Sequence, residues 1–247
     1  MIVQITFQNK ALQVDLNQAI DISIPINKDN NVNCYHLDNP SFSYFENEFF
    51  SGNLAKGGSV NCEKISFYPH ASGTHTECAL HVAQVDFDMR HVQIPALQMA
   101  QVISVKPLEI NNDKVISEDC LKDIQIHSDI DVLLIRTQPN PQEKLNKNYS
   151  DTNPPYFEPA FSNYLKTLGI KHIITDLPSI DKESDNGALA AHKNWFLDGG
   201  EAKVKRTITE LVFIPSDLSD NLYAINMQVP AIQTDAVPSR ILLHPIL

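Results

Sequence analysis

Apolar and polar residues alternate along IVQITF and again along LQVDL, with Gln8, Asn9 and Lys10 between them. That period-2 pattern predicts two short strands joined by a turn. AIDISIPI alternates once more, which places Asp21 and Ser23 on one face of a strand and Ile22 and Ile24 on the other. From Cys34 to Gly58 the period is lost. Asn-Pro, Ser-Gly and Gly-Gly punctuate this stretch, which carries Tyr35, Phe42, Tyr44, Phe45, Phe49 and Phe50. A long loop is expected here, its rings either covering a pocket or anchoring the loop on the core.

Strand character resumes in SVNCEKISFYP and, further on, in VISVKPLEI. Ser117 followed by Glu118 and Asp119 predicts a helix start, since acidic residues favour the first turn. DVLLIRT is almost continuously apolar, the mark of a strand buried on both faces. Residues 138–155, rich in Pro and Asn, predict a loop. Phe161, Tyr164, Leu165 and Leu168 fall at helical spacing over 157–168, and Gly169 supplies the stop. KHIITDLPSID reads as another buried strand, so strand, helix, Gly and strand together predict a βαβ unit. GALAAHKNWFL predicts a helix carrying His192, and RTITELVFI a strand carrying Glu210. LDGGEAKVK between them predicts a hairpin, and NLYAINMQVP and PSRILLHP two final strands. There is no internal repeat and no segment with linker composition, so one domain over 1–247 is expected.

Composition narrows the class of partner. With 30 acids against 19 bases the formal charge is −11, which argues against nucleic acid or an anionic membrane and for a small-molecule substrate. No apolar run approaches the ~20 residues of a membrane span, and MIVQITFQNK lacks the basic start and unbroken apolar segment of a signal peptide. A soluble cytoplasmic protein is the expectation. Cys34, Cys62, Cys78 and Cys120 form no C-x-x-C pair, which predicts reduced thiols.

One stretch concentrates the candidate chemistry. PHASGTHTECALH, residues 69–81, holds His70, His75, His81, Glu77 and Cys78. Imidazoles and carboxylates are the usual donors for zinc or manganese in hydrolytic sites. On an extended segment His75, Glu77 and His81 share parity and face one side, whereas His70 has the opposite parity and needs a bulge or turn at Ala71-Ser72 to join them. Cys78 is a nucleophile, a soft ligand or a small buried residue beside a site. A carboxylate beside it opposes thiolate formation and argues against a cysteine hydrolase using Cys78 with His81.

These residues resemble the metal-dependent cyclase and kynurenine formamidase family, whose signature is H-x-G-T-H-x-D-x-P-x-H. Gly73, Thr74, His75 and His81 fall in its places, and Glu77 substitutes one carboxylate for another. AIDISIPI, VLLIRT, TDLPSID, the pair His192 and Glu210, and VPSR resemble further family elements in the same order. The resemblance implies a single α/β domain of swivelling β/β/α type, with a central mixed, barrel-like sheet and peripheral helices, in a homodimer or larger homo-oligomer. It also implies His75, Glu77, His192 and Glu210 as ligands of one or two divalent ions, zinc first and manganese second, and His81 as the acid/base residue. Asp21, Asp176, Asp181 and Thr74 are expected to support that set from behind. Arg240 is expected in a structural ion pair, and His36, His91, His127, His172 and His244 as surface or core histidines.

The implied activity is metal-dependent hydrolysis of a C–N bond in an amide, formamide or cyclic amide, with N-formylkynurenine as the reference substrate. The alternative is a relative that has lost this chemistry and serves as a small-molecule-binding or structural protein. Ala71 motivates it, because it stands where the family has its first histidine, with His70 one position away. Ala79 replaces the family's proline, and eighteen positions separate His192 from Glu210, more than the family pattern leads one to expect.

Overall fold

The computed structural model describes residues 1–247. Strands β1 (Ile2–Phe7) and β2 (Lys10–Asp15) pair antiparallel from Ile2↔Asp15 to Phe7↔Lys10. Gln8 and Asn9 both take positive φ, 49° and 61°, the backbone twist that suits a two-residue hairpin turn. β3 (Ile20–Asp21) is shorter than the alternation over 19–26 predicts. Ile22 and Ile24 are buried as the period requires, but the segment leaves one pairing partner for a single bridge between Ser23 and Val212, so the ladder breaks.

The stretch 34–58 is not wholly irregular. β4 (Ser41–Tyr44) pairs with β5 (Glu63–Ser66), and the two form an arm whose β5 residues are all exposed. Phe45, Phe49 and Phe50 are exposed as well, Phe49 to 92%. Inward anchoring falls to Tyr35, whose hydroxyl donates to Pro178 O at 2.8 Å.

A single helical turn, α1 (Pro69–Ser72), precedes the fully buried β6 (His75–Glu77). The one strand expected over 102–110 is two. β7 (Gln98–Val105) ends before Lys106-Pro107, where proline has no N–H to give a ladder, and β8 (Leu108–Ile110) turns back with β9 (Asp113–Ile116). The helix expected at Ser117 is one 3-10 turn, Glu118–Leu121, because only Leu121 in it finds a place in the core.

β10 (Val132–Thr137) is buried at all six positions, and β11 (Tyr156–Phe157) lies parallel to β9. α2 (Pro159–Thr167) begins at a proline suited to a first helical turn and is followed by Gly169 at φ +83°. β12 (His172–Thr175) then runs parallel to β10, Val132 opposite His172, which completes the βαβ unit. α3 (Ala190–Phe196) carries His192, and the hairpin β13 (Leu197–Asp198) and β14 (Glu201–Ala202) follows it. β15 (Thr207–Glu210) runs parallel to β12. β16 (Leu222–Gln228), β17 (Ala236–Pro238) and β18 (Arg240–Pro245) close the chain.

Nine strands make one mixed sheet in the order β17-β6-β15-β12-β10-β7-β16-β18-β3, parallel at its centre and antiparallel at both flanks. It is a curled half-barrel with few helices, which bears out the mixed α/β architecture. Alternation along the central strands feeds two cores. Leu133, Ile135, Ile173 and Ile208 pack under α2 and α3 against Phe161, Trp195 and Phe196, while Val132, Leu134 and Ile174 face Ile225, Met227, Ile241 and Leu243 across the curl. Each large apolar side chain buried this way contributes about 1.5–3 kcal/mol. The carboxyl ends of parallel strands are where α/β sheets place their crevices, and here Glu210 ends β15 directly opposite His75 at the start of β6.

Candidate metal centre

His75 and Glu77 sit two residues apart on β6, so both side chains leave the same face of the strand, and β15 and β17 pair on either side of it. That double pairing fixes their direction. Gly73 precedes them at a close approach, since a Cβ there would lie 2.8 Å from Ile24 O. Thr74 locks the same turn, its hydroxyl accepting from Ile24 N at 2.7 Å and donating to Leu211 O.

Each imidazole has one nitrogen engaged outward and one aimed inward. His75 Nδ1 donates to Gly73 O at 3.0 Å, leaving Nε2 3.4 Å from Glu210 Oε2. His192 Nδ1 donates to Asp181 Oδ2 at 2.6 Å, leaving Nε2 2.8 Å from Glu77 Oε1 and 3.6 Å from Glu210 Oε1. Glu210 Oε1 is held by the N–H of Ile180 at 2.8 Å. His75 Nε2, His192 Nε2 and both oxygens of Glu77 are fully buried and have no aligned hydrogen-bond partner. Buried polar atoms without partners are costly, so four of them converging on one spot call for a bound group.

Electrostatics point the same way. Burial alone would push the Glu77 carboxyl up, yet His192 and His81 beside it hold it well below the usual carboxylate range. Burial alone would pull His192 down, but Glu77 and Asp181 lift it well above the ordinary imidazole range. Asp181 is buried too, and its bond from His192 brings its carboxyl down. Imidazole nitrogens and carboxylate oxygens facing a dry, negatively charged centre fit a divalent cation.

His70 and His81 complete the ring of side chains. The α1 turn carries His70 inward, as its parity demanded, and its Nδ1 lies 3.3 Å from Glu77 Oε2. A 3-10 turn, Ala79–His81, swings His81 Nε2 to 3.8 Å from the same oxygen, so strand parity does not govern its direction. The remaining nitrogens, His70 Nε2 and His81 Nδ1, both donate to Asp235 Oδ2, at 3.0 and 2.9 Å. Burial pulls His70 down, but those two carboxylates raise it to about 10. Donor atoms of His70, His75 and Glu77, of Glu77, His81 and His192, and of His70, His81 and Asp235 form three overlapping groups, each within 4.8 Å.

Other expected residues stand elsewhere. Asp181 supports His192 directly, whereas Asp176 accepts from Thr137 and from Lys144 Nζ, the latter at 2.6 Å, and joins β10 to the following loop without touching the donor set. Asp21 accepts from Ser23 N and pairs with Arg240 at 2.6 Å on the surface, so it orients no donor, while Arg240 takes its expected ion-pair role. Cys78 is wholly buried against Met89 and Val237, and burial raises its thiol to about 11. Asp235 belongs to none of the sequence motifs. Nothing in QTDAVP singles it out except its place just before VPSR, and β17 must pair with β6 before it comes near His70 and His81.

Buried imidazoles and carboxylates gathered at the crevice of a mixed, curled sheet define a metal-binding α/β scaffold. The chain belongs to the putative cyclase family, whose sequence pattern matches residues 20–182. It is 29% identical over 181 residues to a kynurenine formamidase of Geobacillus thermodenitrificans, covering 73% of this chain and 75% of the relative. It is 28% identical over 230 residues to a kynurenine formamidase of Bacillus mycoides, covering 93% and 99%. Its fold is similar to that of a predicted metal-dependent hydrolase from Bacillus stearothermophilus, with a TM-score of 0.63 at 18% identity over 92% of this chain and 98% of that one. Isatin hydrolase A from Ralstonia solanacearum shares the fold with a TM-score of 0.66 at 12% identity, over 92% and 91%.

Proposed function

We propose that the chain is a metal-dependent hydrolase that opens a non-peptide C–N bond in an amide, formamide or cyclic amide, with aryl formamides such as N-formylkynurenine as the reference substrates. The observation that carries this reading is the convergence of four buried donor atoms on His75, Glu77 and His192, none with an aligned hydrogen-bond partner. The formamidase relatives and the isatin hydrolase fold support the substrate class. His75, Glu77, His192 and Glu210 hold the ion. His70 stands in for the histidine absent at Ala71, which removes the main motive for a catalytically silent relative. Four carboxylates, Glu77, Asp181, Glu210 and Asp235, surround imidazoles that must be neutral to ligate, a balance suited to one or two divalent cations. Zinc comes first and manganese second for such donors.

When bound, the ion supplies Lewis-acid polarisation of the substrate carbonyl and a more acidic attacking water. The protein's own residues do the rest. With its Nδ1–H on Asp181, neutral His192 is kept in one tautomer, and its Nε2 lone pair is directed inward. His81, with Nδ1–H on Asp235, offers Nε2 to take a proton from the attacking water and return it to the leaving nitrogen, which cannot depart as an amide anion. Burial of Glu77, Glu210 and His75 excludes bulk water from the donor set. Exposed apolar side chains on the β4–β5 arm, Phe45, Phe49 and Ile65, support a homo-oligomer. The four free thiols support a cytoplasmic setting. No helix is long and apolar enough to cross a membrane.

The test is hydrolysis of N-formylkynurenine, an aryl formamide and isatin by protein loaded with zinc or manganese. Turnover of at least one of them, lost on chelation, is expected. Absence of turnover on all three with either ion overturns the substrate class.

A further inference from the structure

Asp235 lies in none of the motif elements, yet one of its oxygens meets two histidines of the site. His70 Nε2 and His81 Nδ1 approach Oδ2 at 3.0 and 2.9 Å, across 165 and 154 residues of sequence. The two rings stand side by side, their centroids 4.3 Å apart and their planes tilted by 32°. Asp235 is itself fixed. Its carbonyl accepts from Cys78 N at 3.0 Å, the pair Ala236↔Glu77 follows at once, and Thr234 Oγ1 donates to its Oδ1 at 3.1 Å.

We infer that Asp235 is a positioning residue that sets both His70 and His81 through a single carboxylate oxygen, so that the displaced donor and the acid/base residue are oriented together. The inference rests on the proposed hydrolase reading for what the two rings do, but not for how they are held. An imidazole has two nitrogens, and whichever one donates outward leaves the other as the lone pair. With Oδ2 taking His70 Nε2–H and His81 Nδ1–H, the inward atoms are His70 Nδ1 and His81 Nε2, and both face Glu77 Oε2, at 3.3 and 3.8 Å. Without the carboxylate neither ring keeps its outward acceptor. In particular, the turn that brought His70 in past Ala71 provides no other side-chain partner for it besides Glu77 and Asp235.

Two substitutions and two measurements test this. In Asp235→Asn the amide can present N–H where two N–H groups already point, so both histidines lose their fixed tautomer. Asp235→Glu keeps the acceptor and moves it by one methylene. Asp235 is partly exposed, so neither change empties the core. For zinc-loaded protein, kcat is expected to fall roughly 10- to 100-fold in Asp235→Asn with KM within about threefold, and to recover in part in Asp235→Glu. In nitrogen-15 histidine spectra of the zinc-loaded protein, in which a ligating imidazole is neutral, the wild type is expected to show His81 protonated at Nδ1 and His70 at Nε2, and Asp235→Asn to lose both assignments. Unchanged kcat together with unchanged histidine signals in Asp235→Asn overturns the inference, as does a loss of kcat that Asp235→Glu shares in full. The spectra need no turnover, so a wild type that hydrolyses nothing defeats the functional reading while the histidine assignments still decide the role of Asp235.

Discussion

Oδ2 of Asp181 lies 2.6 Å from His192 Nδ1 and accepts the backbone N–H of His192 at 3.0 Å, while Oδ1 accepts that of Ala191 at 2.7 Å. One carboxylate thus binds the first turn of α3 and fixes the tautomer of the histidine that turn carries. Asp181→Asn places an amide N–H against Nδ1 and favours the wrong tautomer. Metal affinity measured by chelator competition is expected to fall roughly 10- to 100-fold, with a loss of about 1 kcal/mol in folding stability from the weakened helix start.

Donor atoms that lack an aligned hydrogen-bond partner gain one when an ion binds. Adding zinc to 100 times its dissociation constant is expected to stabilise the chain by about 2.7 kcal/mol, a rise of several degrees in Tm by calorimetry. Glu77→Gln should abolish that rise while leaving the sheet folded, since it removes charge and not volume.

His172 gives a pH signature away from the centre. It is buried against Thr207, its Nδ1 2.8 Å from Thr207 Oγ1, and burial lowers it to about 4. A histidine depressed in the folded state binds its proton first in the unfolded chain. Its contribution is therefore complete above pH 6.5 and is lost as the pH falls toward 4, by on the order of 3 kcal/mol. Urea unfolding of His172→Gln across that window should show a flatter pH dependence than the wild type; an identical slope refutes the assignment.

The thiol of Cys78 is expected to be inert. It is wholly buried with its ionisation raised to about 11, whereas Cys62 is exposed. Iodoacetamide at neutral pH should label Cys62, spare Cys78 and leave hydrolysis intact, and Cys78→Ala should retain activity within a few fold.

Thr74→Val keeps the shape of the side chain and removes the hydroxyl between Ile24 N and Leu211 O. Two buried backbone groups lose their partner, so a loss of about 1–3 kcal/mol is expected in denaturant midpoints.

Local pattern carried the central sheet well. DVLLIRT, the helix stopped by Gly169 and the strand after it appear as a parallel βαβ unit because their burial is uniform enough to be written in a few contiguous residues. Segments that change partners were harder. AIDISIPI passes from β18 to Val212, so tertiary pairing divides a clean local signal there, whereas the strand at 102–110 is cut by Pro107, a local feature that the alternation around it obscures. At the centre, the signature stretch contained His75, Glu77 and His81, and the turn needed for His70 was visible as a parity conflict. Asp235 was not legible, because an aspartate in a loop becomes informative only when β17 pairs beside β6. Asp21 and Asp176 show the opposite case, since they lie next to motif residues along the chain but point toward Arg240 and Lys144 in space.

The hairpin β13–β14 lies between His192 and Glu210 in sequence, yet it closes on itself. Lys203 N donates to Phe196 O at 2.7 Å, Asp198 is clasped by Lys166 and Arg206, and the tip is the exposed pair Gly199-Gly200. Chain length between those two residues is thereby uncoupled from the distance between their side chains. The eighteen-position gap is taken up by a hairpin that returns on itself, and the Gly199-Gly200 tip is where an inserted tag or grafted loop is expected to leave both side chains in place.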